Sequence, residues 1–252
     1  MKAFDLWENT LEEKVTMEYY EPYHKLNDVA IIVFPGGGYC CRAEHEGIGY
    51  AELLNAFGFS AFVVNYRVAP CRFPKPLLDA RRSVQFVRCK AQEFGVDKNK
   101  ILVMGSSAGG HLAALVATCK ENLDTVNDNI SKENYIPNGQ ILCYPVISSD
   151  ESISHKSSYE KLLGDQYDQK EKYSPERLVS ETTPSAFIWH TADDFGVSVM
   201  NSYRYAEALH RANIDCELHV FPNGPHGLGV APHFSHVSQW TGLLRNWLKK
   251  YF

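Results

Sequence analysis

No stretch of this chain approaches the roughly 20 consecutive apolar residues that span a bilayer, so a membrane-spanning protein is not expected. Residues 1–14 (MKAFDLWENTLEEK) hold no apolar run of the kind a secretory signal needs, and no export signal is expected there. Basic charge is not in excess: 25 Lys and Arg face 30 Asp and Glu, a net charge of −5. Nucleic acid and anionic membrane are therefore not expected partners. The seven cysteines are an odd number without pattern, and the near pair, Cys40-Cys41, is adjacent rather than C-x-x-C. That scatter fits a reducing compartment better than a disulfide framework, and the expected location is cytoplasmic. His45-Glu46 is followed by Gly at position 49, so it is not the H-E-x-x-H of a zinc helix. The histidines and cysteines make no recognisable metal-ligand spacing, and G-x-G-x-x-G is absent. No metal or organic cofactor is expected, and there is no internal repeat or low-complexity tract.

What is present is an ordinary globular composition, 44% hydrophobic and 22% charged over 252 residues. That suits one large α/β domain over 1–252. The stretch that organises it is ILVMGSSAGGHLAAL, residues 101–115. Ile101–Met104 is a short apolar run, as in a buried strand. Gly105-Ser106-Ser107-Ala108-Gly109 is a G-x-S-x-G pentapeptide, and a small-residue apolar stretch from Ala108 to Thr118 predicts a buried helix. Strand, tight turn and helix form the context of a nucleophile elbow, which would project Ser107 at the strand end, above a helix N-terminus whose free N–H groups suit a developing oxyanion.

The other elements follow in alternation. Strands are expected at Val15–Tyr20, Val29–Phe34, Ser60–Tyr66, Gln140–Val146, Ser185–His190 and Cys216–Phe221. Helical stripes run from Ile48 to Phe57, Leu77 to Phe94, Val199 to Leu209 and Val237 to Leu248. Residues 67–76 hold three prolines and read as a loop, and the polar 121–137 as a surface connection. Residues 148–183 are long, polar and weakly periodic, which predicts a lid or cap; a mobile surface insertion is the alternative. The alternation predicts a mostly parallel sheet with helices on both faces and ligands at the C-terminal strand ends.

Four features lie directly after strands on that edge. They are the loop Pro35-Gly36-Gly37-Gly38-Tyr39, the elbow, the acidic loop Asp193-Asp194, and Gly224-Pro225-His226-Gly227. A serine hydroxyl needs an imidazole to take its proton and a carboxylate to orient that imidazole. Ser107, an aspartate of the acidic loop and His226 stand in the chain order Ser, Asp, His of α/β-hydrolases. The three glycines fit a cradle of backbone N–H donors, although a flexible turn has the same composition. Of the other histidines, His111 is expected to pack or bond locally, His190 ends a strand, His219 is mid-strand, and His233 and His236 lie in the loop before the last helix.

With these residues in view, the chain resembles the acetyl esterase/lipase branch of the α/β-hydrolase superfamily, especially small carbohydrate-acetyl-esterase-like members. The resemblance runs from about Val29 to the C-terminus. It rests on FPGGGY (34–39), HEG (45–47), NYRVAP (65–70), GSSAGGHLA (105–113), SPERLV (174–179), HTADD with Val197, and GPHGLG (224–229). It implies an α/β-hydrolase fold with a Ser107–Asp194–His226 triad. The choice of Asp194 follows from matching H-G-x-x-D-x-x-V on His190 and Val197, with Thr191 in place of the usual Gly. Asp193 is then expected to cap a helix or form a salt bridge. Pro35 stands where some relatives have His, and the implied oxyanion donors are the N–H groups of Gly37, Gly38 and Ala108. Losing one such donor typically costs roughly 3–4 kcal/mol of transition-state stabilisation. The implied substrates are short acyl esters, acetyl above all, of small molecules, sugars or xylan fragments. Tyr39, His45, Tyr66 and Trp189 are expected near the pocket from their positions. Amide hydrolysis of the arylformamidase or peptidase type is the alternative on the same triad, and a non-catalytic binding homologue the alternative outside enzymes.

Overall fold

The computed structural model describes residues 2–7, 14–123 and 126–252. Among them, eight strands form one sheet: β1 Lys2–Asp5, β2 Thr16–Tyr20, β3 Ala30–Phe34, β4 Ser60–Asn65, β5 Ile101–Ser106, β6 Gly139–Cys143, β7 Ala186–Thr191 and β8 Cys216–Phe221. Their order is β1-β2-β4-β3-β5-β6-β7-β8. From β4 to β8 all neighbours pair parallel, and β1 and β2 add an antiparallel edge. The helices are α1 Glu44–Ala56, α2 Lys75–Cys89, α3 Ala91–Phe94, α4 Ser107–Thr118, α5 Lys156–Leu163, α6 Met200–Arg211 and α7 Trp240–Tyr251. None is long and apolar enough to cross a membrane among the described residues.

Continuous apolar runs make central strands because both faces of a parallel sheet are covered. Successive side chains then feed opposite layers. Ile32 and Val103 join one core with Leu77 and Val84 of α2 and Leu112 of α4. Ile31, Val33, Leu102 and Met104 join the other with Tyr50 and Leu54 of α1 and Trp240 and Leu244 of α7. The buried Arg67 of NYRVAP has a structural role in this packing. Its guanidinium meets the fully buried Asp79 of α2 at 2.6 Å, and Trp7 Nε1 donates to the same carboxylate at 2.7 Å.

Several boundaries differ from expectation. β1 has no counterpart in the sequence pattern. The stripe expected over 77–94 begins earlier, at Lys75, and is two helices that break at Lys90. The strand expected to reach Val146 stops at Cys143, because Tyr144 takes φ +36° and Pro145 has no N–H for the ladder. Residues 148–183 carry ordered elements of their own. They hold α5 and 3₁₀ turns at Gly164–Tyr173 and Pro175–Arg177, and bury Tyr159, Leu162, Leu163 and Tyr173 in the core.

His111 of α4 ties this segment down. Its Nε2 donates to Tyr173 O at 2.8 Å, so its Nδ1, 2.8 Å from the Tyr39 hydroxyl, accepts. These partners lie 62 and 72 residues away, not locally as expected. The Tyr39 bond in this direction requires the neutral ring, whereas the Nε2–H bond to Tyr173 O survives protonation. Burial pushes the imidazole down to about 4, outweighing the opposite pull of the Tyr173 carbonyl. An unfolded imidazole takes its proton near pH 6.5. His111 therefore contributes stability that is complete above about pH 6.5 and lost as pH falls to about 4, roughly 3 kcal/mol over the window. Urea unfolding across this range is expected to show the decline, and His111→Gln to flatten it. An identical slope in both proteins contradicts this account.

Candidate active site

Ser107 stands where β5 becomes α4, with φ +52°, a left-handed conformation that a side chain resists. The flanking glycines are there because backbones crowd the turn. A Cβ on Gly105 would lie 2.1 Å from Gly109 O, and one on Gly109 would lie 2.0 Å from Phe34 O. A further bond, Val146 N to Ser107 O at 3.0 Å, fixes the serine from the β6 side.

Three strand ends bring their loops together here. Ser107 Oγ is 2.8 Å from His226 Nε2, and His226 Nδ1 is 2.7 Å from Asp194 Oδ2. A carboxylate only accepts, so Nδ1 carries the proton and Nε2 is left to accept from the serine hydroxyl. Asp194 Oδ1 accepts from Gly196 N at 2.8 Å and Val197 N at 2.9 Å, and His190 Nε2 lies 3.3 Å from Oδ2. Burial pushes this carboxyl up, but the bonds from His190, His226 and Val197 N outweigh it and hold the group well below the usual carboxylate range. His190 is fully buried, its Nδ1 2.7 Å from Ser202 Oγ and its Nε2 3.0 Å from Val197 O.

Asp194, not Asp193, meets the histidine. Among the described residues Asp193 neither caps a helix nor forms an ion pair: it accepts from Gly224 N at 2.7 Å and Asn223 Nδ2 at 3.1 Å, stapling the loop that carries His226.

The glycine loop lies directly against the elbow, since a Cβ on Gly36 would be 3.1 Å from Ser107 Cβ. Gly37 and Gly38 take φ +127° and +62°, and Gly37 O accepts from Cys40 N and Cys41 N. Among the described residues, no acceptor is paired with the N–H of Gly37, Gly38 or Ala108.

The aromatic residues expected near the pocket require correction. Tyr39, Tyr66 and Trp189 are all buried. The Tyr39 hydroxyl is engaged with His111, the Tyr66 hydroxyl donates to Pro35 O at 2.6 Å, and Trp189 stacks on Trp240 at 5.0 Å between ring centroids. They support the site's loops from within and offer no surface to a ligand. His45 is exposed, with Nε2 2.8 Å from Gly227 O, and lines a surface cavity of about 580 Å³ with Ile48, Leu228 and Val230.

Sequence reasoning missed the polar support beneath the site. Glu46, almost wholly buried, accepts from Gly36 N at 2.7 Å and from the Tyr144 hydroxyl at 2.8 Å. The Tyr144 hydroxyl oxygen in turn accepts from Gly229 N at 2.8 Å and lies 3.1 Å from the Tyr50 hydroxyl, which is 2.6 Å from Ser106 Oγ. The Tyr144 ring stands edge-on to His226, centroids 5.1 Å apart. Burial and then the Glu46 charge hold the Tyr144 phenol well above its ordinary range, so it stays a donor. One carboxylate thus links the glycine loop, the elbow and the histidine loop. HEG was visible as a motif, but nothing local to it signals a partner 98 residues away.

The architecture is shared along the whole chain with an acetyl ester-xyloside bifunctional hydrolase from Caldicellulosiruptor lactoaceticus. That structure matches with TM-score 0.92 at 39% identity, over 99% of this chain and 96% of the other. The class is therefore a protein of the α/β-hydrolase fold. Within it, the chain belongs to the BD-FAE family, whose model matches residues 17–209. An acetylxylan esterase of Xylanibacter ruminicola is 37% identical over 232 residues, 87% of this chain and 45% of that protein. An endo-1,4-beta-xylanase B of Butyrivibrio fibrisolvens is 36% identical over 219 residues, 84% of this chain and 34% of that protein. The chain thus spans less than half the length of these two curated relatives.

Glu46→Ala strands two buried donors and is expected to lower the unfolding free energy by about 2–5 kcal/mol. Glu46→Gln is expected to stay within about 1 kcal/mol, because its carbonyl still accepts from Gly36 while the hydroxyl protons of Tyr144, Tyr50 and Ser106 reverse direction. Urea titrations check both, and equal stability of the two variants contradicts the network's role.

Proposed function

We propose that the chain is a serine carboxylic ester hydrolase that removes short acyl groups, acetyl above all, from sugars or xylan fragments. The observation that carries this reading is the Ser107–His226–Asp194 line at 2.8 and 2.7 Å beside unpaired glycine N–H groups. The relatives named for acetylxylan and acetyl ester-xyloside hydrolysis support the acyl group and the sugar.

The steps follow from the protonation states. Ser107 Oγ attacks the ester carbonyl as His226 Nε2 takes its proton, and Asp194 faces the imidazolium that forms. The carbonyl oxygen becomes an oxyanion held by the N–H groups of Gly37, Gly38 and Ala108, with the N-terminus of α4 behind it. His226 returns the proton to the leaving alkoxide as the C–O bond breaks. Water, deprotonated by His226, then releases the acid from the acyl-serine. In this reading 148–183 is the cap over the site, part of one α/β-hydrolase unit.

Ser107→Ala is expected to lower kcat/KM for acetyl esters by at least about 10⁴-fold with an unchanged circular dichroism spectrum. A variant retaining a tenth of the wild-type rate would sink the assignment. Acetylated xylo-oligosaccharides are expected to be hydrolysed ahead of long-chain esters and N-formyl anilides, and the reverse order would contradict the substrate class.

A further inference from the structure

The direction of proton transfer decides where each half of an ester lies. The acyl oxygen faces the glycine loop, while the leaving oxygen must come within reach of His226 Nε2. Groups bordering His226 therefore meet the alcohol half of the substrate. Two residues there are unused by the chemistry above.

Phe195 follows Asp194 directly and is 99% exposed. The next residue, Gly196, packs so closely that a Cβ on it would lie 2.8 Å from both Cβ and Cγ of His226. The turn holding Phe195 is rigid, because Gly196 N and Val197 N both donate to Asp194 Oδ1. A fully exposed phenyl side chain is thus carried by the residue next to the one that packs on His226, with no protein surface covering it. His155, at the start of α5, borders the same site from the cap. Its Nδ1 is 2.7 Å from Ser158 Oγ, and that oxygen would be 3.9 Å from a Cβ on Gly38. The charges of His226 and Asp194 both act on its half-buried ring, behind the larger effect of burial. With Nδ1 engaged, Nε2 has no partner among the described residues.

We propose that Phe195 and His155 form a subsite for a pyranose ring on the alcohol side of the ester. The C–H face of the sugar stacks on Phe195, and a ring hydroxyl bonds to His155 Nε2. This rests on the ester-hydrolase reading and adds to it the residues that recognise the sugar.

The test is the ratio of kcat/KM for an acetylated xylo-oligosaccharide to kcat/KM for ethyl acetate, whose alcohol is too small to need a stacking platform. Phe195→Ala is expected to lower this ratio roughly 5- to 10-fold, chiefly through KM for the sugar ester, and Phe195→Trp to hold it within about 2-fold of wild type. His155→Ala is expected to lower it by a similar factor, roughly 3- to 10-fold. Unacetylated xylobiose is expected to inhibit ethyl acetate hydrolysis competitively, and more weakly in Phe195→Ala. A wild-type protein that takes the sugar ester while Phe195→Ala and His155→Ala keep its ratio overturns the subsite alone. A Trp variant as impaired as the Ala variant overturns stacking. A wild-type protein active on ethyl acetate but inert on the sugar ester removes the sugar reading and this subsite together.

Discussion

The left-handed backbone at Ser107 is the constraint on which the rest of the site depends. A residue with a Cβ does not rest at φ +52° unless its neighbours hold it there. Here the hold is the approach of three backbones. β5 and α4 meet so closely at Gly105 and Gly109 that no side chain fits, and the end of β3 closes against Gly109. The apolar strands and the small-residue helix make this approach possible, because burial on both faces of the sheet stabilises what the turn strains. The serine hydroxyl consequently emerges at the C-terminal edge, where the histidine and acid loops also end.

Position alone would not align those loops, since each follows a different strand. Hydrogen bonds from buried polar groups do the aligning. Asp194 organises its own turn and the His226 ring at once, and Asp193 secures the far side of the same histidine loop. Beneath them, Glu46 joins the glycine loop to Tyr144, and Tyr144 joins the histidine loop to the serine beside the elbow through Tyr50. Such a network is stabilising only when every member is satisfied, which ties the geometry of the glycine loop, His226 and Ser107 to one buried carboxylate.

Much of this was legible in the residue order, and for identifiable reasons. Uninterrupted apolar runs such as Val29–Phe34 and Ile101–Met104 have few alternatives to central strands, and breaker-rich loops after them mark the functional edge. The order of Ser107, Asp194 and His226 along the chain matched the pairing found in space. Short edge elements were not legible: β1 is only KAFD, with three of its four residues exposed. Proline 145 was a visible warning that the strand before it ends early. The side to which an aromatic turns was the least accessible property. Tyr39 and Tyr66 flank motif residues, yet both face inward, because their hydroxyls find partners on α4 and β3's loop rather than solvent. Long-range polar pairs such as Glu46–Tyr144 leave no periodic trace at all.

The central claim is that Ser107, and no other serine, is the activated nucleophile of an ester hydrolase. Stoichiometric reaction with a fluorophosphonate, mapped by peptide mass spectrometry against the loss of acetyl-ester hydrolysis, tests it most directly. The account predicts one phosphonyl group per chain on the peptide bearing Ser107, with activity falling in proportion. Folded, active protein that stays unlabelled, or that carries the label on a different residue while losing activity, would contradict it.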